Sequence, residues 1–286
     1  MKILVTGSNG QLGSEIKVLS RNYPHYHFIF ADKDIMPLDN LQEVVKVLDS
    51  EKPQIIISAG AYTAVDLAES EGDLVDMINH LSVASIAVWA KTNQAKLIHI
   101  STDYVFDGNQ EQPLKEDQPT DPINSYGLSK LRAEKAIVKS DADAIVIRTA
   151  WVYSNFGANF VKTMIRLMSE RDEISVISDQ VGSPTYARDL AQAILDIIHS
   201  QNWEKGIYHY SNEGKISWYD FAMEIQRLKN LDCIINPIPT TQYPTPARRP
   251  KFSLLDKTKI KNQFGIVIPD WKVSLIEMLN KETATN

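Results

Sequence analysis

The sequence predicts an α/β fold: a doubly wound parallel sheet with a smaller, interleaved C-terminal domain. Three observations carry this. Short β-branched or apolar runs alternate with longer helical patterns through the first half. The short runs are apolar on successive residues, as in strands covered on both faces. Glycines 7, 10 and 13 recur at three-residue spacing directly after the first run, where the turn from a strand into a helix must be tight.

Taken in order, Lys2–Thr6 is the first strand and Gln11–Arg21 the first helix. His27–Ala31, Gln54–Ser58, Lys96–Ile100 and Ala144–Arg148 are the following strands. Between them lie helical patterns over Leu41–Glu51, Asp73–Thr92 and Asn124–Lys139. This alternation implies a parallel sheet with helices on both sides. Beyond residue 150 the character changes. A helix over Ala158–Ser169 leads to a strand over Ile174–Ile177, and Ala187–His199 reads as another helix. Gly206–Tyr210 reads as a strand returning to the first sheet, so that residues 1–150 and 151–286 interleave. Ser217 caps a helix to Leu228. Pro237, Pro239, Pro244, Pro246 and Pro250 argue for an ordered or ligand-closing loop. A last helix over Trp271–Asn280 precedes a polar tail.

With 43% hydrophobic and 23% charged residues, the composition is that of a soluble globular protein. A net charge of −6 argues against general nucleic-acid binding. No apolar run approaches the roughly 18–20 residues of a membrane span, and the N-terminus enters a strand without signal-peptide architecture. The single Cys233 excludes an internal disulfide and fits a reducing compartment, so the expected location is cytoplasmic. His25, His27, His80, His99, His199 and His209 lack metal-site spacing, and no metal ligand is assigned.

The glycine turn carries the first chemistry. Gly7, Gly10 and Gly13, with Gln11 and Leu12, open the first helix. Glycines there let backbone approach a pyrophosphate, whose oxygens meet the unpaired N–H groups of the helix N-terminus. Asp32 ends the second strand, 19 residues after Gly13, where a carboxylate accepts bonds from an adenosine ribose and favours NAD. Lys33 beside it can pair with a 2′-phosphate and favours NADP; both remain open. Asp39 can reach the adenine or sit in a solvated turn. Residues 1–150 therefore read as a Rossmann-type dinucleotide-binding domain, and 151–286 as mainly substrate-binding.

Tyr126 and Lys130 lie one helical turn apart. Chance supplies about one such pair in a chain of this composition, so its context decides its meaning. An adjacent ammonium stabilises a phenolate and moves the tyrosine toward acid–base work. Upstream, Ser101-Thr102-Asp103 follows the fourth strand, at the sheet edge where ligands bind; a hydroxyl there can hold a carbonyl in line with the tyrosine proton.

Together these parts resemble the extended short-chain dehydrogenase/reductases. The segments Ala61–Asp66, Ser101–Gly108, Asn124–Lys130, Arg148–Tyr153, Asp179–Thr185, Ser217–Ala222 and Arg248-Arg249-Pro250 are similar to the dTDP-4-dehydrorhamnose reductase family. Ser58 and Gly60 stand where that family usually has Asn and Ala, and Asn212 where Gly is common. The resemblance implies reduction of a 4-keto group on a dTDP-linked sugar by NADPH or NADH, in the synthesis of cell-surface polysaccharide precursors. Thr102, Tyr126 and Lys130 would be catalytic, with Lys130 bridging the nicotinamide ribose and lowering the tyrosine pKa. Ala59, Ala61 and Tyr62 would join the cofactor residues. Thr63, Val65, Asp103, Trp151, Asn159 and Arg249 would meet substrate, Arg249 at the pyrophosphate. Trp151 could equally be core, and Asn159 could equally cap its helix. The family also allows a homodimer and Mg2+.

Two other readings compete. An epimerase or dehydratase of the same superfamily recycles its nicotinamide, but dehydratases commonly carry Asp-Glu after the threonine, and here Asp103-Tyr104 follows. A regulatory subunit of methionine adenosyltransferase resembles these reductases as a binding partner, yet Thr102, Tyr126 and Lys130 are all present here.

Overall fold

The computed structural model describes residues 1–200 and 202–283; residues 284–286 of the expected polar tail lie outside the described residues. In the first half, strands and helices alternate as β1 (Lys2–Thr6), α1 (Gln11–Leu19), β2 (His27–Ala31), α2 (Leu41–Glu51), β3 (Ile55–Ser58), α3 (Gly72–Asp76), α4 (Ser82–Thr92), β4 (Lys96–Thr102), α5 (Ser125–Ser140) and β5 (Asp143–Thr149). The second half contains β6 (Val152–Tyr153), α6 (Phe160–Glu170), β7 (Glu173–Ile177), β8 (Val181–Gly182), β9 (Thr185–Tyr186) and α7 (Ala187–Ser200). It continues with β10 (Gly206–His209), β11 (Ile216–Ser217), α8 (Trp218–Lys229), β12 (Ile234–Ile238), α9 (Thr258–Phe264) and α10 (Trp271–Thr283).

The main sheet runs β10-β5-β4-β3-β1-β2, with every pair parallel. Side chains alternate between its faces. Ile3, Val5, Ile57 and Ile98 pack with Leu12 and Ile16 of α1 and Leu190 and Ile194 of α7. Leu4, Ile56 and Leu97 pack on the opposite face with Val44 of α2, Ile86 of α4 and Ile137 of α5. Both faces are buried, which is why these strands read as unbroken apolar runs. The chain reverses direction across the sheet between β1 and β3, opening a crevice above their carboxyl ends.

A separate core joins α6, α8 and α10 to the β7–β12 pair through Met164, Ile174, Phe221, Ile235 and Leu275. From the second half, β10 and α7 return to the main sheet: β10 pairs with β5 at its edge, and α7 covers one of its faces.

Two local expectations need correction. The helix read over Asp73–Thr92 is broken by a π segment, Met77–Leu81. Its wide turn buries Asn79 fully, and the amide has work inside: Asn79 Oδ1 accepts from Tyr62 N at 2.8 Å, and Nδ2 donates to Tyr62 O at 3.0 Å. The proline-rich stretch begins as a strand rather than a loop. β12 contains Pro237 opposite Val176, and in a two-stranded pair the missing proline N–H faces a free edge.

Candidate active site

β4 and α5 build the centre of the site. Thr102 ends β4, and the N-cap of α5 is Asn124, whose Oδ1 accepts from Gly127 N at 2.7 Å. Gly127 is required because a Cβ there would lie 2.2 Å from Tyr104 O. That close approach brings Tyr126 against Tyr104, ring edge to face at 5.9 Å. Tyr126, Lys130 and Glu134 then follow at four-residue intervals on the helix face turned to β4.

Thr102 Oγ1 donates to Asp103 Oδ1 at 3.0 Å and accepts from Tyr104 N at 3.2 Å, and its hydroxyl acts on the Tyr126 phenol to lower that group's pKa. Ser101, one residue back, faces the other way, as strand alternation demands. Its hydroxyl donates to Glu134, which is itself clamped by Arg148 at 2.9 and 2.7 Å. Of the two hydroxyls, Thr102 is the one beside the tyrosine.

Burial dominates the electrostatics. Tyr126 is half-buried; burial and the charge of Asp103 push its phenol up to about 12, opposed by Thr102. Lys130 is 2% exposed, and burial brings its ammonium down to about 7, opposed by Glu134. The expectation that Lys130 lowers the tyrosine pKa is therefore corrected: the phenol moves upward. The ammonium donates to Ile100 O at 2.7 Å and to His99 at 3.1 Å instead. Asp103 is raised to about 7 by burial, opposed by the Ser253 hydroxyl and by the bond from Thr102. Its Oδ2 is buried without a hydrogen-bond partner among the described residues.

The glycine turn lies across the crevice. Gly7 has φ +64°, and a Cβ there would sit 2.5 Å from Gly60 Cα. A Cβ on Gly13 would sit 2.4 Å from Gly7 O. Gly10 caps α1 with no side-chain bond, and the first turn carries no acid, so its N–H groups are open to an anion. These features fit a dinucleotide pyrophosphate. Leu12 packs into the core under the turn. Asp32 is held at the end of β2 by Asn9 and by Asp34 N, with Lys33 exposed beside it. Asp39 is exposed, next to the Asn40 cap of α2. Ala59, Ala61 and Tyr62 follow β3, where Gly60 N donates to Thr6 Oγ1 at 3.0 Å and Asn79 fixes Tyr62.

The remaining residues divide. Thr63 is exposed and Val65 half-buried on the segment leading to Asp66. Asp66 clamps Arg249 with contacts of 3.1 and 2.7 Å, and Arg248 O accepts from Asn124 Nδ2 at 2.8 Å. The Arg248-Arg249-Pro250 loop is thus bolted to the start of α5. Trp151 has φ +48°, a strained backbone for a bulky residue, and stacks on Trp218 at 3.7 Å. Asn159 caps α6 and also donates to Gln11 Oε1 at 3.2 Å; Gln11 in turn donates to Val152 O at 3.3 Å. Asn212 ties Tyr186 N, Asp189 and Ser274 together inside the second half. Asp66, Asn79, His99 and the Glu134–Arg148 pair were not assigned to the site from sequence; Asp66 and Arg148 lay at the ends of segments used there, and His99 was named only among the scattered histidines.

Among the described residues, no group of three or more His, Cys, Asp or Glu is placed to hold a metal ion. No step is derived through Mg2+. No described helix is long and apolar enough to cross a membrane.

The RmlD substrate binding domain family matches residues 1–284. The chain is 41% identical to a dTDP-4-dehydrorhamnose reductase of Escherichia coli K12, covering 98% of each chain. It is 37% identical to that of Burkholderia thailandensis, over 96% of this chain and 97% of the relative. A solved dTDP-4-dehydrorhamnose reductase from Clostridium acetobutylicum superposes with TM-score 0.95 at 39% identity, covering 99% of this chain and 100% of that one. The Bacillus anthracis enzyme, solved in complex with NADP, superposes with TM-score 0.93 at 38% identity, over 98% and 99%. With a parallel Rossmann-type sheet, a glycine cradle and a Thr-Tyr-Lys cluster beneath that likeness, the chain belongs to the dTDP-4-dehydrorhamnose reductase family.

Proposed function

We propose that this chain reduces the 4-keto group of dTDP-4-dehydro-L-rhamnose to give dTDP-L-rhamnose, using NADPH or NADH. The observation that supports it most is the grouping of Thr102 at the end of β4 with Tyr126 and buried Lys130 on α5, in a sheet whose first strand leads to an open helix N-terminus. A bound nicotinamide supplies hydride to the carbonyl carbon. Tyr126 gives its proton to the carbonyl oxygen as charge develops there. Thr102, once its hydroxyl proton turns from Asp103, donates to the same oxygen and holds it in line. Lys130 has three N–H donors and uses two on Ile100 and His99, which leaves one for a ribose hydroxyl. A phenol raised by burial stays protonated at neutral pH, as a proton donor must.

The first α1 turn, with Gly7, Gly10, Gln11, Leu12 and Gly13, would hold the pyrophosphate. Asp32, Lys33 and Asp39 would meet the adenosine half, and Ala59, Ala61 and Tyr62 the crevice wall. Lys33 is the cation available to a 2′-phosphate, consistent with the NADP bound by the Bacillus anthracis relative. Arg249, oriented by Asp66, would meet the nucleotide pyrophosphate; Thr63, Val65, Asp103, Trp151 and Asn159 complete the substrate side. On this reading residues 1–150 bind cofactor and 151–286 mainly substrate, and the reaction is cytoplasmic. A homodimer belongs to the same reading and is tested by light scattering. The deciding experiment compares NADPH and NADH oxidation with dTDP-, GDP- and UDP-linked 4-keto-sugars. Oxidation selective for the dTDP sugar is expected; a redox-neutral reaction overturns the proposal.

A further inference from the structure

His99 lies in β4 with no exposed surface. Its Nε2 is 3.1 Å from Lys130 Nζ, and its Nδ1 is 3.1 Å from Ser58 Oγ. The tautomer follows from the partners. An ammonium has only N–H bonds to give, so Nε2 must carry the lone pair and Nδ1 the proton, donated to Ser58 Oγ. A second proton on the ring would point at Lys130, and burial with that neighbouring charge holds His99 well below the ordinary histidine range.

We propose that His99 is a positioning residue of the reductase: its Nε2 lone pair fixes the Lys130 ammonium against β4, and Ser58 fixes the His99 tautomer. The inference rests on Lys130 serving the reaction proposed above. Lys130 is held by one carbonyl, Ile100 O, and one side chain, His99. The nearest carboxylate, Glu134, is occupied by Ser101 and Arg148. Without His99 the ammonium has a single fixed bond in a buried site, and it turns about that bond or sheds its proton.

The test uses the full chain with NADPH and dTDP-4-dehydro-L-rhamnose. In His99→Leu, kcat should fall roughly 10–100-fold, as expected for a misplaced catalytic group, while the KM for the sugar stays within a few-fold. His99→Gln, whose amide oxygen can take the Nε2 role, should recover most of the loss. A merely structural histidine would lower thermal stability without this rescue. Nitrogen-15 histidine spectra of the wild-type chain should show His99 neutral and protonated on Nδ1. Wild-type kcat in folded His99→Leu, or an Nε2–H tautomer, overturns the proposal. If His99→Leu does not fold, the spectra and the glutamine variant decide. A wild-type chain with no turnover defeats the reductase reading instead, and the tautomer still tests the Lys130–His99 contact.

Discussion

Replacing Asp103 by asparagine isolates one buried titration. Burial raises the Asp103 carboxyl from 3.8 to about 7, and one oxygen has no partner among the described residues. In the unfolded chain the group ionises near its ordinary value; in the fold it keeps its proton until neutral pH. The folded state therefore binds more protons between those two pH values. The stability the neutral carboxyl contributes is complete below the unfolded value and is lost as pH rises through the folded one. A shift from 3.8 to about 7 corresponds to about 4 kcal/mol at 1.36 kcal/mol per unit. About 3 kcal/mol of that falls between pH ~5 and pH ~8. The amide of Asp103→Asn cannot ionise and keeps an acceptor for Thr102, so urea unfolding should show the variant gaining on wild type by that amount across the interval. Each curve must be two-state for the comparison. A difference between the two proteins that does not change with pH refutes the reasoning.

Gly13→Ala places a methyl 2.4 Å from Gly7 O, so NADPH affinity by fluorescence titration should weaken about tenfold or more; unchanged affinity contradicts the cradle. Arg249→Lys gives up the two-pronged contact with Asp66. The KM for the nucleotide sugar should rise about tenfold with kcat within a few-fold, and an unaltered KM removes Arg249 from the substrate side. Lys130 is brought down to about 7 by burial, so its charge is lost as pH rises through that value. The ratio kcat/KM for NADPH, which reports the free enzyme, should fall on the alkaline side of neutrality; a flat profile into the alkaline range contradicts that role.

The sheet was legible because its strands are buried on both faces, so Leu4, Ile56 and Leu97 mark it without reference to partners. The glycine turn was legible because its geometry is local: Gly7 and Gly13 contact residues of their own loop and the adjacent strand end. Tyr126 and Lys130 were legible as a spacing on one helix. What sequence did not reveal depends on contacts across distance. His99 meets Lys130 from a different element, and Glu134 reaches Arg148 across the α5–β5 connection. Asp66 and Arg249 are 183 positions apart, so only the fold discloses that the arginine is already paired. The direction of the Tyr126 shift was missed for a similar reason. One-turn spacing promises an ammonium nearby, but burial acts on both groups and outweighs it. The π segment escaped because the backbone its Asn79 braces, at Tyr62, lies in another part of the chain.

The central claim is that Tyr126 delivers the proton in a reduction that consumes NADPH. Its most direct test measures NADPH oxidation and dTDP-L-rhamnose formation together, in wild type and in Tyr126→Phe. The wild-type chain should consume one NADPH per sugar reduced. The variant should lose ~10²–10⁴-fold in turnover while binding NADPH with nearly unchanged affinity. Near-normal turnover in Tyr126→Phe, or sugar conversion without net NADPH loss, would contradict the account.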